Sequence, residues 1–503
     1  MKMVSCATYE GIEAKVVHVE STLTKGLPSF SVVGMASASI NEAKERVKSA
    51  LLSNEFTFPP KRITINLAPS DVKKEGSQFD LSIALLIALD YLEDDFSEWF
   101  VFGELGLDGA IKENIQLYPL ILSLANQKII KKAVVPFESL EKLSKISGVE
   151  FYGVKRLDEA IELLKNHLNA LPNCSYKKID YPSYKLDEEE YYYDERYKED
   201  FSDVKGQEVA KRAALISAAG FHNLLLEGSP GCGKSMIAQR LRYILPPLSG
   251  DDILDIAKLD ALEAKEPEFR PLRSFRAPHH SSTTASIFGG GSHKAMIGEV
   301  GLAHKGVLFF DELPHFSRLV LEALREPLQD NKIRISRVNS KVEYPSDFLF
   351  VGAMNPCPCG NLLNEQKECR CSDLEIQRYK NRLSDPFLDR IDICVVMQHS
   401  GVNDRVSISS KEMHAEVIKI HKIAKARGQS SFNAKLNDDE IEKYCILSDD
   451  ARAVLSRAVE QFALSFRGIK KIQKVSRTIA DLDESEIIEK RHILEALSYR
   501  RRG

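Results

Sequence analysis

An α/β multidomain architecture is predicted for this chain from three observations. Its 503 residues exceed what one hydrophobic core serves, so roughly two to four domains are expected. The apolar run Leu224-Leu225-Leu226 leads into a glycine-rich stretch, Gly228 to Ser235, and then into helical spacing from Met236, an order of strand, loop and helix. Beyond Asn403 the strand texture stops and helical spacing alone remains.

Residues 1–170 form the first predicted domain. Val16-Val17-His18-Val19, Ser31-Val32-Val33 and Arg62 to Asn66 read as strands from β-branched alternation, and Ala43 to Ser53 and Asp80 to Asp90 as helices. Strands and helices mixed without strict alternation suit an α+β or α/β domain. Residues 171–200 carry Pro172, Pro182, the acidic run Asp187 to Glu190 and Tyr191-Tyr192-Tyr193. They are expected to form a polar linker, the alternative being that the tyrosines dock on a neighbour. Residues 201–400 form the α/β core, in which Phe348 to Met354 is a continuous apolar run suited to a buried parallel strand. Residues 401–503 read as five helices: Glu412 to Ala426, Asp438 to Tyr444, Asp449 to Ser465, Ile469 to Asp483 and Glu489 to Tyr499.

Composition narrows the function classes. Hydrophobic content of 43% and charged content of 28% are ordinary for a globular protein, and a net charge of −4 argues against a general polyanion-binding surface. A local basic channel stays compatible with that sum. No secretory signal is visible, and the apolar stretch Leu81 to Leu89 is well short of the ~20 residues that span a bilayer. With nine cysteines and no export signal, a cytoplasmic, reducing location is expected, where clustered thiols serve metal or packing.

Gly228, Ser229, Pro230, Gly231, Cys232, Gly233, Lys234 and Ser235 fill the pattern G-x-x-x-x-G-K-[ST]. Its glycines let backbone N–H groups crowd the phosphates of ATP, Lys234 adds a point charge, and Ser235 can ligate Mg²⁺. A second apolar strand, Gly306 to Phe310, ends in Asp311 and Glu312. There Asp311 would organise Mg²⁺ and Glu312 would polarise the attacking water. The bland alternative is a glycine turn and an unrelated strand with an acidic end. The buried strand after it ends at Asn355, which either orients water beside the γ-phosphate or caps a turn. Arg390, in Leu388-Asp389-Arg390, either reaches a neighbouring subunit's nucleotide or pairs with Asp389 or Asp392; Arg382 competes for the first role. Arg467 opens a later helix as a second candidate arginine.

Cys357-Pro358-Cys359 and Cys369-Arg370-Cys371 are two C-x-C pairs across a short loop. Four thiolates suit a tetrahedral structural Zn²⁺ with no open position for catalysis, the alternative being packed or redox-sensitive cysteines. His279 and His280, adjacent and expected on opposite faces of a strand, read as structural or loop-positioning residues. Asp330 to Arg337 and Lys341 to Tyr344 flank a turn, giving a hairpin with alternating basic residues, and a second insert spans Ser286 to Ala295. Lys294, Lys332, Arg334, Arg337 and Lys341 are the candidate DNA contacts, unless the hairpin is merely solvated.

Phe275 to His280, Gly289-Gly290-Gly291, Gly298-Glu299, Leu302 to Gly306 with Asp311 to Pro314, Asn355 to Gly360 and Arg477 to Leu482 together resemble the magnesium-chelatase-like AAA+ ATPases, and within them the ComM/YifB family. The resemblance covers essentially the whole chain. It implies a homohexameric ring that binds single-stranded or branched DNA, works with recombination proteins, and drives branch migration in homologous recombination during natural transformation. It also implies a sensor 1 role for Asn355, a sensor 2 role for Arg467, pore-lining inserts, and a helical lid over residues 401–503. The first domain resembles the Lon-protease-like, S5-like fold. Gln78 there stands where the peptidase serine belongs, Ser77 is one position off, and no lysine occurs near Ile115 to Tyr118, so no Ser–Lys dyad is expected. A chelatase-type or protein-remodelling motor acting through a partner is the alternative.

Overall fold

In the computed structural model the chain divides into two compact units, Met1–Asp180 with Ala257–Phe269, and Tyr181–Ile256 with Arg270–Gly503. All residues are described except 1, 36, 93, 168, 291–295, 337–340, 365–366, 399–406 and 501–503; for 38, 296, 335, 336, 341 and 342 the description covers the backbone alone.

The first unit is built on a mixed seven-stranded sheet in the order Ser29–Val33, Arg62–Ala68, Glu13–Thr24, Lys2–Glu10, Trp99–Val101, Lys132–Pro136, Glu150–Val154. Lys2–Glu10 and Glu13–Thr24 pair antiparallel, and the last four strands run parallel. Alternation explains the register: Val17, Val19 and Ser21 are buried together on one face of their strand. The apolar stretch near Leu81 is the helix Asp80–Ala88, buried along its whole length as a core helix. Its first residue, Asp80, is 1% exposed and is gripped by Arg46, whose Nε and Nη2 donate to Oδ2 and Oδ1 at 2.7 and 3.1 Å. One turn earlier, Ser77 Oγ donates to the Glu104 carboxylate, and Gln78 Nε2 donates to the carbonyls of Glu75 and Ala7 at 2.9 and 3.2 Å. Ser77 and Gln78, at the place where a peptidase serine would stand, are thus committed to hydrogen bonds within the unit. No helix among the described residues is long and apolar enough to cross a membrane.

The second unit carries a five-stranded, all-parallel sheet in the order Phe275–Arg276, Val307–Phe310, Leu349–Met354, Leu224–Gly228, Ile393–Met397. The strand that comes first in the chain lies between the fourth and the fifth. Its carboxyl end therefore sits where the strand order reverses, the place at which open α/β sheets bind ligands. Leu349–Met354 is buried at every residue, as a central parallel strand requires. The basic segments form the expected antiparallel hairpin, Lys332–Ser336 with Lys341–Pro345.

Within the span expected as a polar linker, Ser183–Leu186 and Glu189–Tyr192 pair as a hairpin, and the latter strand also pairs with Leu248–Ser249. Tyr191 and Tyr192 are each 5% exposed. Tyr184 Oη and Tyr197 Oη meet Nδ1 of His421 and His414 at 2.7 and 3.0 Å, both imidazoles lying on the helix Ser410–Ala426. Apolar ring area and a hydroxyl that finds a buried partner outweigh the acidic run between the strands. The helices of residues 410–498 begin at side-chain caps, Ser409, Asn437, Ser448 and Ser465 among them. The third helix ends at Phe462, short of the expected Ser465, because Ala463 takes φ 46° and stops it. Ser465 then caps Phe466–Leu482, placing Arg467 in the first turn.

Candidate nucleotide site and cysteine cluster

The strand Leu224–Gly228 delivers the glycine-rich loop, and the helix Lys234–Leu241 follows it. Gly231 and Gly233 take φ of 80° and 95°, the left-handed region in which a side chain is strained. Lys234 Nζ is folded over the loop and donates to the carbonyls of Gly228 and Ser229 at 2.6 and 3.0 Å, and to Asn355 Oδ1 at 3.1 Å. Asn355 is thereby joined to the lysine rather than to a turn. Ser229 Oγ is buried and has no hydrogen-bond partner among the described residues. A backbone of this shape, an orphaned hydroxyl and a helix N-terminus together fit a bound polyphosphate. Cys232 is buried, and burial raises its thiol pKa, which keeps it a neutral packing group.

Ser235 Oγ donates to Asp311 Oδ2 at 2.9 Å, so the two side chains expected to share Mg²⁺ already meet. Hard oxygen donors of this kind suit that cation, which usually keeps several waters and few protein ligands. The other Asp311 oxygen accepts the Glu312 backbone N–H at 2.9 Å. Glu312 itself takes φ 50°, and its carboxylate lies 3.5 Å from His280 Nδ1 and 4.0 Å from His315 Nδ1. The histidine doublet does not alternate across a strand: the chain leaves Phe275–Arg276 before it, and the two rings lie 4.1 Å apart.

All four sulfurs of Cys357, Cys359, Cys369 and Cys371 fall within 4.8 Å of one another. Three of the separations are 3.5, 3.7 and 3.6 Å. A tetrahedral Zn²⁺ with ~2.3 Å Zn–S arms has edges of ~3.8 Å, so the set fits this ion and leaves no ligand position open. The Cys359 thiol is pulled down to about 6, first by the Asn361 backbone N–H and then by that of Arg370, while desolvation and the neighbouring sulfurs raise Cys369 and Cys371. Thiolate is the form a metal takes.

Arg390 donates to the Pro386 carbonyl and, at 2.8 Å, to Gln329 Oε1, rather than to Asp389 or Asp392. Burial first, then the Arg467 and Arg325 guanidiniums nearby, hold it below its ordinary pKa. Arg390 and the exposed Arg467 thus share one neighbourhood, while Arg382 donates to the Pro314 carbonyl at 3.2 Å. Lys332 and Arg334 are exposed and both engage Glu343, at 2.7 and 3.2 Å. Lys294 and Arg337 lie outside the described residues, and of Lys341 only the backbone is described.

Two features of the site escape sequence reasoning. Asn223, just before the loop strand, donates from Nδ2 to the Arg390 carbonyl at 2.8 Å and accepts at Oδ1 from Phe350 N–H at 3.0 Å. Lys380 Nζ pairs with Glu227 at 3.2 Å, one residue before Gly228. A histidine doublet close upstream of the acidic strand was the only available hint of the imidazoles around Glu312.

Comparison with known proteins matches three family profiles in series. They are subunit ChlI of Mg-chelatase over residues 19–139, magnesium chelatase subunit ChlI over 200–405, and the magnesium chelatase subunit ChlI C-terminal region over 407–500. The chain is 38% identical to the competence protein ComM of Haemophilus influenzae, over 97% of this chain and 95% of that protein. It is also 38% identical to YifB of Escherichia coli with the same coverage. The 67 kDa magnesium-chelatase subunit of Chlorobaculum tepidum is 25% identical over 31% of this chain and 23% of its own length. Full-length similarity of the first kind, with a parallel-sheet core carrying the phosphate loop and acidic strand, places this chain in the ComM/YifB family of magnesium-chelatase-like proteins.

Proposed function

We propose that this protein is an ATP-dependent DNA motor, a homohexameric AAA+ ring in the cytoplasm that promotes branch migration of recombination intermediates during natural transformation. The observation that carries the hydrolytic part is the meeting of Ser235 with Asp311 and of Lys234 with Asn355 at the carboxyl ends of adjacent strands. In this reading Lys234 and the loop N–H groups hold the phosphates, Ser235 and Asp311 position Mg²⁺, Glu312 accepts the proton of the attacking water, and Asn355 orients that water. Arg390 acts on a neighbouring subunit's γ-phosphate, and Arg467, close to it, senses the γ-phosphate from the helical domain. Charge developing in the transition state is then met by donors from two chains. The relative named a competence protein supports the DNA part. Lys332 and Arg334, with Lys294, Arg337 and Lys341, would contact phosphates along the strand. The Lon-like first unit, without a dyad, serves structure or guides DNA, residues 401–503 form the lid, and zinc at the four cysteines is structural.

Stimulation of ATP turnover by branched or single-stranded DNA, set against denatured protein and a porphyrin-binding partner, separates this reading from a protein-remodelling or chelatase-type motor. Failure of DNA either to bind or to stimulate would sink it. Lys234→Ala should abolish nucleotide binding. Glu312→Gln should bind ATP normally and lose hydrolysis by about 10²-fold or more, and a Glu312→Gln protein with parental turnover would refute the assigned base.

A further inference from the structure

The cysteine cluster does not stand apart from the nucleotide loop. Cys357 follows Asn355 by two residues, and Asn355 accepts from Lys234 Nζ. The turn closed by Gly360 N–H on the Cys357 carbonyl, 3.0 Å, brings Gly360 against the loop's Pro230. That approach is tight enough that a Cβ on Gly360 would come within 2.6 Å of Pro230 Cδ and 2.8 Å of Cγ. Gly360 also has φ +77°, so glycine is required there twice over. At the other end of the cluster, Cys371 runs straight into Ser372, the cap of the helix Asp373–Lys380. That helix ends in Lys380, whose ammonium sits 3.2 Å from Glu227 on the loop strand. The cluster therefore lies between three grips on the phosphate loop: at its entry (Glu227), its tip (Pro230) and its lysine (Lys234).

We infer that metal at Cys357, Cys359, Cys369 and Cys371 and nucleotide at the Gly228–Ser235 loop are thermodynamically coupled, the metal-closed knuckle setting the loop in its phosphate-binding shape through Gly360 and Lys380. This rests on the zinc reading of the cluster and the nucleotide reading of the loop. Four sulfurs fixed on one ion hold the two C-x-C segments together. Release of the ion frees the Gly360 turn and the start of the capped helix, and both contacts with the loop loosen together. Pro230 is stiff in φ, so displacement of its ring is displacement of the loop. Coupling of this kind is reciprocal: whatever factor zinc adds to nucleotide affinity, nucleotide adds to zinc affinity.

The test uses the full chain, purified with its metal and assayed for zinc by elemental analysis. Zinc transfer to a chromophoric chelator is timed with and without a saturating non-hydrolysable ATP analogue. The affinity of a fluorescent nucleotide is then measured on loaded and stripped protein. Nucleotide is expected to slow zinc loss at least about fivefold, and stripping to weaken nucleotide binding by a similar factor, the lower end of ordinary allosteric coupling. Gly360→Ala retains every cysteine; it should carry full zinc and lose the mutual effect. Lys380→Met, which leaves the knuckle backbone alone, should reduce the effect and covers the case in which Gly360→Ala misfolds. Zinc absent from folded, nucleotide-binding protein would overturn the metal reading itself. Zinc present but released at one rate with or without nucleotide, with unchanged nucleotide affinity after stripping, would overturn the coupling and leave the metal site standing.

Discussion

Asn223 is 8% exposed and spends every polar group it has on two other segments, at Phe350 and at Arg390 to Ile393. Its N–H donates to Asp392 Oδ2 at 2.9 Å, its carbonyl accepts from Asp392 and Ile393 N–H at 3.0 Å each, and its amide bridges Phe350 and the Arg390 carbonyl. One side chain thus ties the roots of the loop strand and the Asn355 strand to the segment presenting Arg390. Asn223→Ala leaves buried donors and acceptors unmatched, at about 1–3 kcal/mol for each group. If Arg390 completes a neighbour's site, the variant should keep nucleotide affinity within about twofold while maximal turnover falls roughly tenfold or more. Asn223→Asp, which restores the acceptor to Phe350 but sets a carboxylate oxygen against the Arg390 carbonyl, should keep turnover low. Parental turnover in a folded Asn223→Asp protein would show that Arg390 needs no such positioning. At this scale the sequence is legible where chemistry is encoded locally, as in Lys234, Ser235, Asp311 and the paired cysteines. Asn223 is illegible because its role depends on partners at positions 350, 390 and 392, and nothing in the residues beside it differs from an ordinary strand entry.

Elements were legible to the extent that one period dominated them. The buried strand before Asn355, the core helix from Asp80 and the capped C-terminal helices follow directly from spacing and cap residues. The hairpin over residues 183–192 hid because its charge pattern belongs to a linker and its docking depends on His421, more than two hundred residues away. Ala463 hid for another reason, since a non-glycine left-handed stop has no composition signal. The basic hairpin at Lys332–Pro345 shows the opposite case, an element correctly placed whose function turns on one unforeseen acid. Glu343 sits between Lys332 and Arg334, and both pairs are exposed and weak. If the hairpin tracks phosphates, Glu343→Gln should release two cations and tighten DNA binding. Lys332→Ala with Arg334→Ala should weaken it and lower the salt-dependence slope by about 1–2. Anisotropy titrations from about 50 to 200 mM salt read both changes. A solvated hairpin predicts that neither variant moves, and identical isotherms would remove this element from the DNA path.

At the scale of the molecule, the unit that begins at Tyr181 carries a built-in response to acid. His222 and His421 are pushed down to about 3, and His304 and His414 to about 4, by burial in each case; all four lie in the unit that begins at Tyr181. An imidazole whose folded pKa is depressed stabilises the fold fully above its unfolded value near 6.5 and loses that contribution as pH falls toward the folded value. Each such histidine removes up to about 1.4 kcal/mol per pH unit below ~6.5. Asp392, raised by burial, opposes this with at most one proton. Tyr184 of the hairpin and Tyr197 beyond it meet His421 and His414, so protonation of these imidazoles also removes Nδ1 as an acceptor for either hydroxyl. Between pH 7.5 and 5.0 the unfolding midpoint of the second unit, followed by hydrogen exchange on its own peptides, should fall steeply. His421→Gln, which keeps an acceptor for Tyr184 but cannot titrate, should flatten that fall by roughly one proton's worth. A midpoint that stays level from pH 7 to pH 5 would mean these imidazoles reach water before the fold opens. Acid sensitivity would then have to be traced to the carboxylates instead, Asp252 and Asp347 beside Lys305 first among them.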